Sequence, residues 1–235
     1  MNIPIIYEDQ DVLVLNKPAG LQVHSAPHDD AMQKTVVDWL KENRLEVLNV
    51  GDEPTLRPGI VHRLDKNTSG VLVVAKNQET FVFLKKQFQE KSLQKTYLAL
   101  VYGNVKNNEG VIDQPIGTSK ADFRRRSSAG NLKGKIREAV TEYKVLERYE
   151  GFTLLECYPK TGRTHQLRVH LKFIGHSVAG DALYGGRKQI PPNGLTRQFL
   201  HAKSLGITLP NGVKSLFVAD LPEDLEKVLC FLQKA

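Results

Sequence analysis

The spacing of apolar and polar residues changes period several times along the chain, and each change marks an element. Ile3 to Tyr7 and Val12 to Leu15 are short apolar segments split by Glu8-Asp9-Gln10-Asp11, which predicts a hairpin. Asn16-Lys17-Pro18-Ala19-Gly20 then forces a turn. From Thr35 to Asn43 the apolar positions Val36, Val37, Trp39 and Leu40 make one helical face, and Leu45 to Leu56 reads as a loop. Val71-Leu72-Val73-Val74-Ala75 is a continuous apolar run bounded by turn signals, the pattern of a strand buried on both faces. Asn77 is placed to cap a helix running to about Glu90, with Phe81, Leu84 and Phe88 at helical spacing as core residues.

Ser92 to Tyr102 predicts a strand with Tyr97, Ala99 and Val101 on one face and Thr96, Leu98, Leu100 and Tyr102 on the other. Ser119 to Arg137 lacks periodicity and is the most basic stretch, so it reads as a mobile loop. Glu138 to Arg148 and Phe152 to Pro159 predict two strands around Tyr149-Glu150-Gly151, one face exposed. A helix is expected from about His165 to Ile174, with Leu167, Leu171 and Ile174 as its buried stripe and His165, Arg168 and Lys172 as its polar stripe. Gly175 to Gly186 is a turn-rich connector, and Leu200 begins a strand through Leu209. A closing helix spans Pro222 to Gln233, with Leu225, Val228, Leu229 and Leu232 inward. No internal repeat or long linker is visible.

Composition narrows the class. The 235 residues are 40% hydrophobic, enough for a sizeable core, and carry 33 Lys+Arg against 26 Asp+Glu, a net charge of +7. That balance suits a polyanionic partner, nucleic acid first, as well as it suits a merely basic surface. The two cysteines, Cys157 and Cys230, lie among apolar residues and read as buried free thiols rather than a disulfide framework. His165 and His170, at i and i+5, do not share a helical face and lack a third ligand at a recognised spacing, so no metal is expected. The N-terminus has no signal-peptide pattern, and no apolar run approaches the ~20 residues that span a bilayer, which favours a cytoplasmic location away from membranes.

Chemistry concentrates between Arg57 and Lys76. The Pro58-Gly59 breaker and a short apolar step lead into His62-Arg63-Leu64-Asp65-Lys66-Asn67-Thr68-Ser69-Gly70, which abuts the buried strand directly. A loop fixed to a rigid element is a common place for catalytic groups. Arg63 and Lys66 flank Asp65 and favour its ionised form, as a nucleophile or electrostatic stabiliser needs. An equally physical reading has Asp65, Thr68 and Ser69 simply bonding the turn to itself.

The stretch HRLDKNTSG followed by an apolar strand resembles the catalytic motif of RNA pseudouridine synthases of the RluA type. The resemblance implies an α+β fold with a mixed, mainly antiparallel sheet, flanking helices and a central RNA-binding cleft, and it makes Asp65 the catalytic residue. NKPAG resembles a further signature of the family, in which Lys17 and Pro18 shape the floor of the site. Lys95-Thr96-Tyr97-Leu98-Ala99 resembles its second motif, whose Tyr, here Tyr97, stacks on the target uracil and assists proton removal. GRTHQLRVH resembles the third, whose second Arg, here Arg168, bridges the catalytic carboxylate. An Arg suits that task, being always charged and able to grip a carboxylate in two bonds.

The same resemblance places Arg63 at the flipped base and Leu200 against it. Arg163 and His165 fall at a helix N-terminus that favours an anion, and Arg124, Arg125 and Arg126 are expected on RNA phosphates. No cofactor is implied, and a monomer is the default. The motifs cover nearly the whole chain, which predicts one catalytic domain over 1–235 without an S4 domain. The implied reaction is uridine isomerisation in structured RNA, large-subunit ribosomal RNA ahead of transfer RNA. A non-catalytic RNA-binding or ribosome-assembly role on the same scaffold is the alternative. A hydrolase is disfavoured, because neither a G-x-S-x-G elbow nor an H-E-x-x-H pattern is present.

Overall fold

The hairpin expected at the start forms because Asp9 closes it. Its Oδ1 accepts the N–H groups of Asp11 and Val12 at 2.8 and 2.7 Å, turning β1 (Ile5–Glu8) into β2 (Val12–Lys17). The protein is described by a computed structural model over residues 1–25, 33–120, 122, 125–128, 132–186 and 189–235. It divides into two compact units, Met1–Gln94 with Ala202–Asp220 and Lys95–His201 with Leu221–Ala235.

In the first unit, α1 (Val36–Asn43) starts from a capping box, in which Thr35 Oγ1 accepts the Asp38 N–H and the Asp38 carboxylate accepts the Thr35 N–H. A short 3-10 turn, Leu45–Val47, follows. β3 (Ser69–Ala75) pairs antiparallel with β2, from Lys17 opposite Gly70 to Val12 opposite Ala75, and all seven of its residues are buried. Period-two geometry explains why its sequence is apolar throughout. Leu72 and Val74 pack with Leu13, Leu15, Trp39 and Leu40 on one side. Val71, Val73 and Ala75 pack with Phe81, Leu84 and Leu205 on the other. Asn77 caps α2 (Gln78–Glu90), its Oδ1 accepting the Thr80 N–H at 2.9 Å.

The second unit takes up the chain with β4 (Gln94–Tyr102), β5 (Glu109–Asp113), β6 (Ile116–Ser119), β7 (Arg126–Ser127), β8 (Leu132–Arg137), β9 (Val140–Tyr149), β10 (Phe152–Pro159) and α3 (Gln166–Phe173). Its main sheet runs β4-β10-β9-β5, every neighbour antiparallel. The two faces of β4 divide as the alternation predicts. Tyr97, Ala99 and Val101 meet Leu155, Leu167 and Leu171, whereas Leu100 and Tyr102 meet Leu154 and Leu225. β11 (Leu200–Thr208) then returns beside β3 and pairs antiparallel with β12 (Lys214–Val218). α4 (Glu223–Phe231) closes the chain with Leu225 and Val228 buried.

The architecture is α+β, with mainly antiparallel sheet and four α-helices among the described residues. None of these helices is long and apolar enough to cross a membrane.

Three expectations are corrected. The described part of Ser119 to Arg137 is not a loop, for β6, β7 and β8 form a small antiparallel sheet in which β6 is central. Cys230 is exposed, while Cys157 is buried. Of the polar stripe expected on α3, Lys172 is exposed but Arg168 is buried, as is every residue from Gln166 to Leu171.

Candidate active site

The Asp65 loop is built outward from β3. Gly59 accepts the Ala75 N–H at 2.9 Å, and Ile60 bridges Val74. The next rung of that antiparallel ladder would join the Val73 N–H to the Val61 carbonyl. His62 occupies it instead. Its Nε2 accepts the Val73 N–H at 3.0 Å, while the ring stacks on Phe88 with centroids 4.7 Å apart. A ring nitrogen that accepts carries no proton, so this imidazole holds its hydrogen on Nδ1. Released from the ladder, the chain passes through exposed Arg63 and buried Leu64 to half-buried Asp65. The Thr68 N–H closes back on the Asp65 carbonyl at 3.0 Å.

Lys17 pins the far side of the loop. Its Nζ donates to the carbonyls of Pro18 and Leu21, both at 2.8 Å, and of Lys66 at 3.1 Å. The side chain is 0% exposed. An ammonium is tolerated at that depth because its three protons meet three carbonyls. The Gly20 N–H shares the Lys66 carbonyl at 2.9 Å. Gly70, at φ 117°, follows the loop, and a Cβ there would lie 2.1 Å from the Ala202 carbonyl oxygen, so only glycine lets β11 come this close.

A second cluster surrounds α3. His165 precedes the helix in the left-handed region at φ 58°, an uncommon setting for a residue with a Cβ. The buried Gln166 side chain ties the approach together. Its Oε1 accepts from Thr161 Oγ1 at 2.6 Å and from the Arg163 N–H at 3.0 Å, and its Nε2 donates to the Val140 carbonyl at 3.0 Å. Arg168 Nε and Nη2 donate to Asp181 Oδ2 and Oδ1 at 2.6 and 2.9 Å, a two-bond grip. Asp181 Oδ1 also accepts the N–H groups of Leu183 and Tyr184 at 2.9 and 3.0 Å. Burial pushes the Asp181 carboxyl up, but the Arg168 bonds and charge together with these N–H groups outweigh it and hold the carboxyl below the ordinary range.

The Arg168 guanidinium lies 4.9 Å from the Tyr184 ring centroid. Tyr184 Oη accepts the Arg126 N–H at 2.8 Å and sits 2.8 Å from His165 Nδ1. His170 is fully buried, 2.9 Å from both Thr141 Oγ1 and the Gln114 carbonyl, and burial lowers its pKa.

The expected site residues thus fall in different settings. Asp65 and exposed Arg63 share the first-unit loop, where Arg63 Nη1 lies 3.5 Å from His24 Nε2. Tyr97 is half-buried on β4, opposite Cys157 of β10. Lys17, expected at the floor of the site and grouped with the RNA-binding residues, is an internal clamp, because a fully buried ammonium bound to carbonyls does not reach phosphate. Leu200 is a core residue of the cluster around Leu155 and Leu171. Arg163 Nε donates to the Glu138 carbonyl at 3.0 Å. Half-buried Arg125 stands 3.5 Å from Asp122, Arg126 is half-buried on β7, and Arg124 lies outside the described residues. Sequence reasoning missed Gln166, Asp181 and Tyr184. The last two sit in GHSVAGDALYGG, a turn-rich connector that also resembles the family but whose local pattern, an Asp followed by turn residues, assigns neither of them a role.

Sequence comparison, rather than either setting by itself, assigns the class: the chain is an RNA-modifying enzyme. The chain belongs to the RNA pseudouridylate synthase family, whose model matches residues 11–173 and so runs into both units. It is 46% identical to a Bacillus subtilis protein named uncharacterized RNA pseudouridine synthase YlyB, over 100% of this chain and 74% of that one. It is 39% identical to the ribosomal large subunit pseudouridine synthase D of Pseudomonas aeruginosa, over 100% of this chain and 73% of the relative. Among solved structures, the human RNA pseudouridylate synthase domain containing 1 matches with a TM-score of 0.77 at 28% identity, covering 100% of this chain and 89% of that one. The protein is accordingly an isomerase acting on uridine in RNA.

Proposed function

We propose that this enzyme converts specific uridines of structured RNA, large-subunit ribosomal RNA ahead of transfer RNA, with Asp65 as the catalytic carboxylate. The observation that carries the reading is the setting of Asp65. It is half-buried, neither sealed in the core nor loose in solvent, on a loop tied to β3 through His62 and to Lys17 through the Lys66 carbonyl. The ribosomal preference is supported by relatives named ribosomal large subunit pseudouridine synthase D.

The reaction breaks the C1′–N1 bond of uridine and forms a C1′–C5 bond. C5 loses its proton and N1 ends protonated, so atoms and electrons balance without a co-reactant. A base inside a helix is out of reach, and the nucleotide must flip. Exposed Arg63 suits holding the RNA open. Stacking on Tyr97 would return about 1–3 kcal/mol, comparable to the few kcal/mol that flipping costs. Asp65 then acts at the sugar or the base, by analogy with a glycosidase carboxylate at an anomeric carbon, and Arg168 is the guanidinium of the catalytic set. Arg125, Arg126 and the lysines of β8 supply phosphate contacts. We read residues 1–235 as one catalytic domain.

The test is release of tritium from RNA labelled at uridine C5. Asp65→Asn is expected to abolish release while RNA binding survives, and retained turnover would refute the assignment. Full rescue of a deletion strain by Asp65→Asn would favour a binding role over catalysis.

A further inference from the structure

Tyr184 joins three elements that carry the proposed chemistry, yet it belongs to none of the motifs that point to catalysis. Its hydroxyl accepts the backbone N–H of Arg126 on β7 at 2.8 Å. The same oxygen lies 2.8 Å from His165 Nδ1, at the strained start of α3. The ring stands edge-on to His165 at 80° and lies 4.9 Å from the Arg168 guanidinium carbon. Its own backbone N–H is bonded to Asp181, the carboxylate that grips Arg168. The side chain is 2% exposed. A buried phenol needs partners for its hydroxyl, and a phenol oxygen has one proton to give and two lone pairs to fill.

We propose that Tyr184 is a positioning residue for the isomerisation, and that its hydroxyl proton points to His165 Nδ1 while its ring seats Arg168. With the Arg126 N–H filling one lone pair, donation to Nδ1 completes a one-way chain from β7 through Oη to the imidazole. Neutral His165 then keeps its proton on Nε2. The left-handed backbone at His165 is held by this bond and by the Gln166 contacts that follow it. Arg168 is held in its plane from two sides, by the Asp181 carboxylate along its edge and by the Tyr184 ring. Because β7 and α3 meet at one oxygen, a shift in the basic small sheet moves the residues that flank the proposed catalytic guanidinium. The inference rests on the reading of Arg168 as a member of the catalytic set.

Two measurements decide it. Nitrogen NMR of histidine-labelled wild-type protein, with His165 assigned by loss of its signals in His165→Asn, is expected to show Nδ1 unprotonated and Nε2 protonated in the neutral ring. A proton on Nδ1 overturns the proposal without reference to activity. In Tyr184→Phe the ring stays and the hydroxyl goes. The variant is expected to lower kcat about tenfold, with KM for RNA within about twofold, the effect of one lost positioning hydrogen bond. It should also erase the hydrogen-bond signature at His165 Nδ1. A kcat within about twofold of wild type, or an unchanged His165 spectrum, overturns it. Wild-type turnover is measured alongside. If the wild type releases no tritium from any RNA, the catalytic reading has failed, and the nitrogen spectra still judge the Tyr184 arrangement by themselves.

Discussion

Arg168 and Asp181 form a buried two-bond pair inside the second unit, with the guanidinium side chain 9% and the carboxylate 0% exposed. Breaking such a pair by neutralising one partner typically costs about 3–5 kcal/mol, because the other charge is left buried. Asp181→Asn is therefore expected to destabilise the protein by about that amount near neutral pH, read by urea unfolding. The sign of the pH dependence follows from a folded-state pKa held below the unfolded value. The stability that Asp181 contributes is complete above the unfolded carboxylate pKa of about 3.9, and it is lost as pH falls through the lower folded value. The gap between wild type and Asp181→Asn should thus narrow in acid. A gap that stays constant from pH 7 down to acid unfolding would contradict the assigned direction.

Lys17→Met keeps the length of the side chain and removes its three donors. Leaving the carbonyls of Pro18, Leu21 and Lys66 without this partner should cost at least about 2 kcal/mol. Since one of the three belongs to the residue after Asp65, kcat should fall more steeply than RNA affinity. Steady-state kinetics beside filter binding separates the two effects.

Gly70→Ala places a methyl 2.1 Å from the Ala202 carbonyl oxygen at a backbone angle that L residues avoid. β3 and β11 must part to accept it, which predicts a loss of about 3 kcal/mol or more by thermal or urea unfolding.

The thiols should react very differently. Cys157 is fully buried, and burial pushes its pKa up to about 12, whereas Cys230 is exposed. A thiol reagent under native conditions is expected to label Cys230 promptly and Cys157 only after unfolding, as mass spectrometry of the labelled peptides would reveal.

What could be seen in the sequence follows from which forces act locally. The hairpin, β3, α1 and α2 were visible because their caps and periodicities lie within a few residues of one another, as at Thr35 with Asp38 and Asn77 with Thr80. The small sheet was not. β7 has two residues, β8 alternates with lysines rather than apolar side chains, and Gly134 interrupts it at φ 72°. Arg168 was assigned to a polar stripe by helical spacing, which carries no knowledge of a carboxylate 13 residues away. The clamp at Lys17 is out of local reach for a similar reason, because its Lys66 partner lies 49 residues on. Asp65 itself stood out through a long motif, but its supports at His62 and Lys17 depend on tertiary bonds.

The imidazole in the β3 ladder sets this edge apart from an ordinary one. A backbone carbonyl accepts at any acidity, so a rung made with one is permanent. A rung made with His62 exists only while Nε2 is bare. Beyond the backbone rung at Gly59 and the bridge at Ile60, a side chain takes the place of the main chain in the pairing. The segment that carries Asp65 is thus fastened to β3 by a ring that a single substitution could remove without touching the strand's own main chain.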